Sequence, residues 1–260
     1  MHVRSLGCRT DLMLIRWDGI VDEIDGAVRA RSPRNSEFIF GNFLLFADPP
    51  KSGETPTWVR RFEDAFADDS RINHVCLRWD RVDGARGAVD ELAAAGFMIE
   101  ETVVMQTATP QPPPRTNHDV QLRTLESEAD WAAATALQVA TMTEQFGHRG
   151  HAFARNQMAR YRRFVAEGRG AWFGAFADDE LVADMGVFVE DGLGRFQAVE
   201  TAAAFRRRGV CGTLAYHTAR TALAELGARV LVIVGLPDHT SQIYRSVGFE
   251  VRERLKPTDR

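Results

Sequence analysis

Residues Thr107 to Asn117 read TATPQPPPRTN, four prolines in eleven residues. Proline fixes its own φ and has no N–H to give to a helix or a ladder, so this stretch predicts an extended connector rather than a packed element. The expected division is residues 1–110, a proline-rich connector 111–118, and residues 119–260. A chain of 260 residues, at roughly 150 per domain, has room for two cores. Hydrophobic residues at 45% and charged residues at 26% exclude a disordered or low-complexity chain. The longest apolar runs, Phe43 to Ala47 and Val230 to Val234, are five residues each, whereas a membrane helix needs about 20. Arg9, Asp11 and Arg16 interrupt the first apolar stretch, so no signal peptide is read and a cytoplasmic protein is expected. Cys8, Cys76 and Cys211 are odd in number and widely spaced, which fits neither a disulfide framework nor a CxxC zinc site.

Behind the connector the pattern alternates in kind. Val120 to Arg123 reads as a short strand, and Glu126 to Gln145 and Ala152 to Glu167 carry helical spacing. Strands Ala171 to Ala177, Leu181 to Val189 and Arg195 to Thr201 follow, joined through Asp178-Asp179-Glu180 and Asp191-Gly192. A helix after Gly209 ends at Gly227, and Arg229 to Val234 has the continuous apolar run of a fully buried strand. A short helix, Thr240 to Ser246, and a strand, Phe249 to Leu255, complete the order βααβββαβαβ. The front half ends the same way. Gly96-Phe97 and Gly248-Phe249 lie 152 residues apart in similar surroundings, and Ile72 to Trp79 falls at nearly the same offset from the strand before Gly235. An internal duplication is the reading.

Charge singles out one segment. The formal net charge is -4, of the wrong sign for a protein that wraps nucleic acid. Yet Thr201 to Ala224 contains no acid and four arginines, Arg206, Arg207, Arg208 and Arg220. A basic helix end is the bland explanation. The sharper one is that Arg206-Arg207-Arg208-Gly209-Val210-Cys211-Gly212-Thr213 joins a strand to a helix, so the first helical amides have no partner of their own and converge on one spot. With the positive end of the helix dipole they form an anion cradle, and Gly209 and Gly212 let a phosphate approach. No Gly-Lys-Ser/Thr and no GxGxxG occurs, so a pyrophosphate held by main chain is favoured over a nucleoside triphosphate.

Arg206-x-x-Gly209-x-Cys211 resembles the R/Q-x-x-G-x-G/A motif of the GNAT superfamily of N-acetyltransferases, and Tyr244-Arg245-Ser246-Val247-Gly248-Phe249 resembles its Y-x-x-x-G-F. The resemblance covers about residues 119 to 255. It implies an α/β fold of two GNAT-like domains, each a mixed, mostly antiparallel sheet flanked by helices, with the front one a degenerate copy. That copy has Pro49-Pro50-Lys51-Ser52-Gly53 in place of the arginine-glycine segment and Leu92 in place of Tyr244. It further implies an N-acetyltransferase that uses acetyl-CoA as cosubstrate and no metal, with a small-molecule or peptide amine as acceptor and neither nucleic acid nor membrane as partner. Arg206 to Thr213 would hold the pyrophosphate. Cys211 replaces the usual Gly or Ala, and Pro237, followed by Asp238, stands where many members have a cofactor-contacting Asn. A non-catalytic acyl-CoA sensor or scaffold is the competing reading.

Acetyl transfer needs a neutral amine, a donor for the oxyanion and a proton for the departing thiolate. Neutralising an amine of pKa about 10.4 at pH 7 costs roughly 4.6 kcal/mol, so a base is useful. Glu200, at the end of the strand before the motif, is where several family members place an acid; simple alternation sets it on the face of Phe196 and Ala198, opposite Gln197 and Thr201. A strand-end carboxylate pairing with an arginine is the alternative. Tyr244, with a hydroxyl pKa of about 10, could donate to a thiolate of pKa about 8.5, or could simply pack on the core. Main-chain amides of Val199 to Thr201 would hold the oxyanion if that strand splays from its neighbour, as the family's does. Trp131, Met142, Phe146 and His148 lie in the two-helix region that borders the acceptor in the family. His148 and His151 lack a third ligand for a metal, and His217 and His239 read as structural.

Overall fold

A computed structural model of the chain describes residues 1–147, 150–237 and 239–260. Two compact units emerge: residues 1–104 with 234–237 and 251–260, and residues 105–233 with 238–250.

The first unit begins with α1 (Leu6–Arg16), β1 (Ile20–Ile24) and β2 (Ala27–Arg31). Asp25 and Gly26 both take positive φ, the turn that matches strand twist in a two-residue hairpin. Next come β3 (Phe43–Phe46), α2 (Thr55–Phe66), β4 (Cys76–Trp79), α3 (Val89–Ala94), β5 (Met98–Ile99) and β6 (Thr102–Thr107), whose last three residues belong to the second unit. Phe43 to Phe46 are buried at every position, as a strand covered on both faces must be. Trp58, Phe62, Ala65 and Phe66 give α2 its apolar stripe.

The second unit contains β7 (Gln121–Thr124), α4 (Glu128–Phe146), α5 (Gly150–Ala166), β8 (Gly170–Ala177), β9 (Glu180–Glu190), β10 (Leu193–Thr201), α6 (Val210–Ala224), β11 (Val230–Gly235) and α7 (His239–Ser246). The chain ends in β12 (Glu250–Leu255) and β13 (Thr258–Asp259). Ser127 opens α4 with a reciprocal capping box to Asp130. Asp178 and Asp179 have φ 47 and 65, and Asp191 and Gly192 have φ 53 and 82, so both expected hairpin turns form.

One sheet has the order β1-β2-β3-β4-β13-β5 and the other β12-β6-β11-β10-β9-β8-β7. Read from β5 and from β12, they share a pattern. In each, the pair joined through a helix is parallel, Leu44↔Leu77 in one and Leu193↔Val230 in the other, and the next strands are antiparallel. The repeated Gly-Phe has a local cause. Gly96 N–H donates to Ala93 O and Phe97 N–H to Leu92 O; Gly248 N–H donates to Arg245 O and Phe249 N–H to Tyr244 O. Each set is a Schellman cap, with φ of 87 at Gly96 and 90 at Gly248.

The start of α1 is held by a buried carboxylate. Glu253 accepts from Ser5 Oγ at 2.6 Å and from Leu6 N–H at 2.8 Å, so a negative charge sits where the helix leaves amides unpaired. Glu253→Ala is expected to lower stability by about 1–3 kcal/mol, read as a drop in the urea midpoint at constant slope. A midpoint within a few tenths of a molar of wild type would mean that water serves these donors equally well.

Candidate active site

The strand β10 is irregular where the chemistry is expected. Gln197 pairs with Gly186 on β9 and Glu200 with Asp184, so two residues, Ala198 and Val199, face Met185 alone. Ala198 takes φ 48, the conformation of a bulge. Side chains directly opposite in a ladder share a face, and Gly186 and Asp184 are two apart on β9, so Glu200 lies on the same face as Gln197. This corrects the alternation argument, which set Glu200 opposite Gln197; the extra residue reverses the parity. β10 also leaves β11. Their parallel ladder runs from Leu193↔Val230 to Arg195↔Val232, and among the described residues it has no pair beyond that point, although β10 continues to Thr201. The splay that would free main-chain amides around Val199 and Thr201 is present.

The face that Glu200 joins is covered by α4 and α5. Tyr161 on α5 donates its hydroxyl to Gln197 Oε1 at 3.0 Å, and Thr141 on α4 hydrogen-bonds Glu200. Burial pushes the Glu200 carboxyl up to about 7, opposed by the Arg206 charge and the Thr141 bond and assisted by Glu144. Below it Asp184 is fully buried, its two oxygens accepting from Gln138 Nε2 and Trp172 Nε1, each at 2.9 Å. Burial raises Asp184 to about 8, the two bonds lower it, and Glu200 raises it further. Sequence reasoning did not single out Asp184. A lone acid inside the apolar run Leu181 to Val189 was the available signal.

The cradle is shaped by the connector. Gly209 has φ 82, and a Cβ there would lie 2.6 Å from Arg115 O; one on Gly212 would meet Pro113 at 3.4 Å. The close approach that these glycines permit in this structure is therefore the connector's. Arg115 Nη1 donates to Arg207 O and Asn117 Nδ2 to Arg208 O, both at 3.0 Å, and Asn117 N–H donates to Thr213 Oγ1 at 2.8 Å. In a trans peptide the C=O of one residue and the N–H of the next point opposite ways. With the carbonyls of Arg207 and Arg208 turned to the connector, the amides of Arg208 and Gly209 point away from it. The first helical amide with a backbone partner is Thr213 N–H on Gly209 O, so those of Val210, Cys211 and Gly212 precede the ladder.

The side chains around the loop divide their tasks. Arg206 does not reach forward: Nε donates to Thr201 O at 3.0 Å and its fork grips Glu144 at 3.1 and 2.6 Å. Arg208 lies over the Phe205 ring at 5.2 Å, and Arg207, at φ 61, is exposed. Cys211 is directed to Thr201, which hydrogen-bonds its thiol, and burial pushes that thiol up to about 11, so the sulfur is neutral at pH 7. Tyr244 is half-buried, with its ring edge-on to Phe249 at 6.1 Å, the apolar contact of the Schellman cap.

Other expected positions fall elsewhere. Asp238 and His148 lie outside the described residues, as does the Phe146 side chain. Met142 is half-buried and packs near Gly150, and Trp131 is buried with its ring 5.9 Å from Trp172. The outer faces of α4 and α5 border a groove of about 950 Å³ lined by Trp131, Val139, Thr143, Met158 and Arg162, which includes neither Glu200 nor Tyr244. His151 meets Thr143 Oγ1 at 2.6 Å, and among the described residues no three His, Cys, Asp or Glu side chains converge as metal ligands. At the corresponding helix start of the first unit, before α2, Glu91 accepts from Ser52 Oγ at 2.6 Å and Gly53 N–H at 2.8 Å, and these bonds lower its pKa. The chain's own carboxylate holds the donors there.

No family model and no curated protein matches the sequence. Solved structures match it in fold. A GCN5-related N-acetyltransferase from Kribbella flavida aligns with 100% of this chain and 96% of its own, at 16% identity and a TM-score of 0.71. A functionally unknown conserved protein from Staphylococcus epidermidis aligns over 94% of both chains at 12% identity and 0.74. A tandem GNAT protein from the clavulanic acid biosynthesis pathway aligns with 84% of this chain and 73% of its own, at 16% and 0.57. The chain has the fold of GCN5-related N-acetyltransferases.

Gly209→Ala places a side chain in left-handed backbone and against the Arg115 carbonyl. It is expected to destabilise the protein by about 1–3 kcal/mol in urea unfolding. An alanine variant with wild-type stability would mean that the connector does not rest on the loop.

Proposed function

We propose that the protein is an N-acyltransferase that moves an acetyl group from acetyl-CoA to a primary amine by direct attack in a ternary complex, at one active site in residues 119–260. The observation that carries this reading is the bulged, splayed β10 leading into a helix start whose amides face away from the connector. The amides from Arg208 to Gly212 would receive the pyrophosphate with the dipole of α6. Arg206 would contribute by fixing the loop through Thr201 and Glu144 rather than by touching phosphate. The thioester carbonyl would lie in the splay, where an amide near Val199 stabilises the developing oxyanion.

Glu200 would take the amine proton. A carboxyl near pKa 7 is about half ionised at neutral pH and balances base strength against availability, which a carboxyl of pKa about 4.3 does not. The mechanism assigns Tyr244 to the departing thiolate. No step calls for a metal.

Three experiments test the assignment. Calorimetry on the full chain should find one acetyl-CoA site, with thiol release in the presence of a panel of primary amines. Two sites would contradict the role given to Glu91, and binding without thiol release from any amine would favour a sensor. Tyr244→Phe should lower kcat by about tenfold or more with Kd for acetyl-CoA unchanged. Glu200 is active only when deprotonated, so kcat/KM should rise with pH through about 7, and Glu200→Gln should abolish that limb. A limb that survives the substitution would assign it to another group.

A further inference from the structure

Gln138 has no place in the mechanism above, yet it is buried under α4 and bonded to both strands of the bulge. Its Nε2 donates to Asp184 Oδ1 on β9 at 2.9 Å and to Ala198 O on β10 at 2.8 Å. A carboxamide nitrogen carries two hydrogens, so one group spans the two strands and spends both donors doing so. The carboxyl it rests on is fixed in turn, because Asp184 Oδ2 accepts from Trp172 Nε1. The other acceptor belongs to the one residue of β10 with positive φ. An alanine held at φ 48 needs surroundings that over-determine it, and the Gln138 bond is the contact on its carbonyl.

The direction of that bond matters for the reaction. The Ala198 carbonyl points at Gln138, and in the planar trans peptide the Val199 N–H must point the opposite way. We propose that Gln138 is a positioning residue for acyl transfer: by clamping Asp184 and the Ala198 carbonyl together, it sets the bulge and aims the Val199 amide at the thioester oxygen. This rests on the acyl-transfer reading. It adds to that reading the source of the amide's orientation, a side chain on α4 that touches neither substrate. Asp184 acts as the second anchor, and Trp172 holds the anchor in place.

The test reads the carbonyl itself and needs no acceptor. Acetyl-CoA labelled with ¹³C at the thioester carbonyl is bound to the full-length protein, and the carbonyl band is followed by infrared difference spectroscopy. Wild type should show the band displaced to lower wavenumber than in Gln138→Met, which keeps the side-chain length but has no donor. The Kd for CoA, measured by calorimetry, should differ less than twofold between them. Loss of at least half the displacement at unchanged CoA affinity supports the clamp. An identical band in the two proteins overturns it and leaves the acyl-transfer reading intact, whereas no acetyl-CoA binding by wild type overturns that reading. Gln138→Asn, a carboxamide one methylene too short to reach both acceptors, gives the same comparison if the methionine variant does not fold.

Discussion

The extra residue in β10 governs most of what lies around it. An antiparallel ladder fixes which side chains share a face, and inserting Ala198 and Val199 opposite Met185 moves Glu200 onto the side covered by α4 and α5. There it loses water, meets Thr141, and sits across from Asp184, whose carboxyl is also removed from solvent. Without the slip Glu200 would have lain on the face of Phe196, the face from which Thr201 now reaches Cys211 on α6. The divergence of β10 from β11 begins after Arg195, just ahead of this distortion, so a carboxyl of raised pKa stands beside an open strand edge.

Helix starts in this protein show how one physical problem is solved in different ways. Each leaves backbone donors unpaired and a partial positive charge. At α1 the Glu253 carboxylate answers them, and before α2 the Glu91 carboxylate does. At α6 the connector takes the loop carbonyls and leaves the amides turned outward. The proposal that only residues 119–260 handle acetyl-CoA follows from that contrast. An anion can bind where the protein has not supplied one of its own.

Periodicity and punctuation carried the element order well. The strand and helix segments of the second unit, both Asp-led hairpin turns and the arginine-glycine loop all follow from spacing that local chemistry enforces. The repeated Gly-Phe was visible as a repeat, and the Schellman caps explain why: a left-handed residue is needed at the end of α3 and α7, and the next residue packs back on the helix. Part of that similarity therefore has a local cause. Glycines 209 and 212 were legible as places where something comes close, but the neighbour is Arg115 and Pro113 of the connector.

Sequence by itself determined the strand-to-helix loop and the chemical types of Glu200, Tyr244 and Cys211, because each depends on residues near one another in the chain. Only the tertiary structure decided that β13 joins β4 and β5 at the far end of the chain from them, that Arg206 turns to Glu144, and that Gln138 meets Asp184. The bulge belongs to this second group: which residue a strand skips is set by the register of its partner, and a one-residue slip leaves no mark on the pattern of either strand read alone.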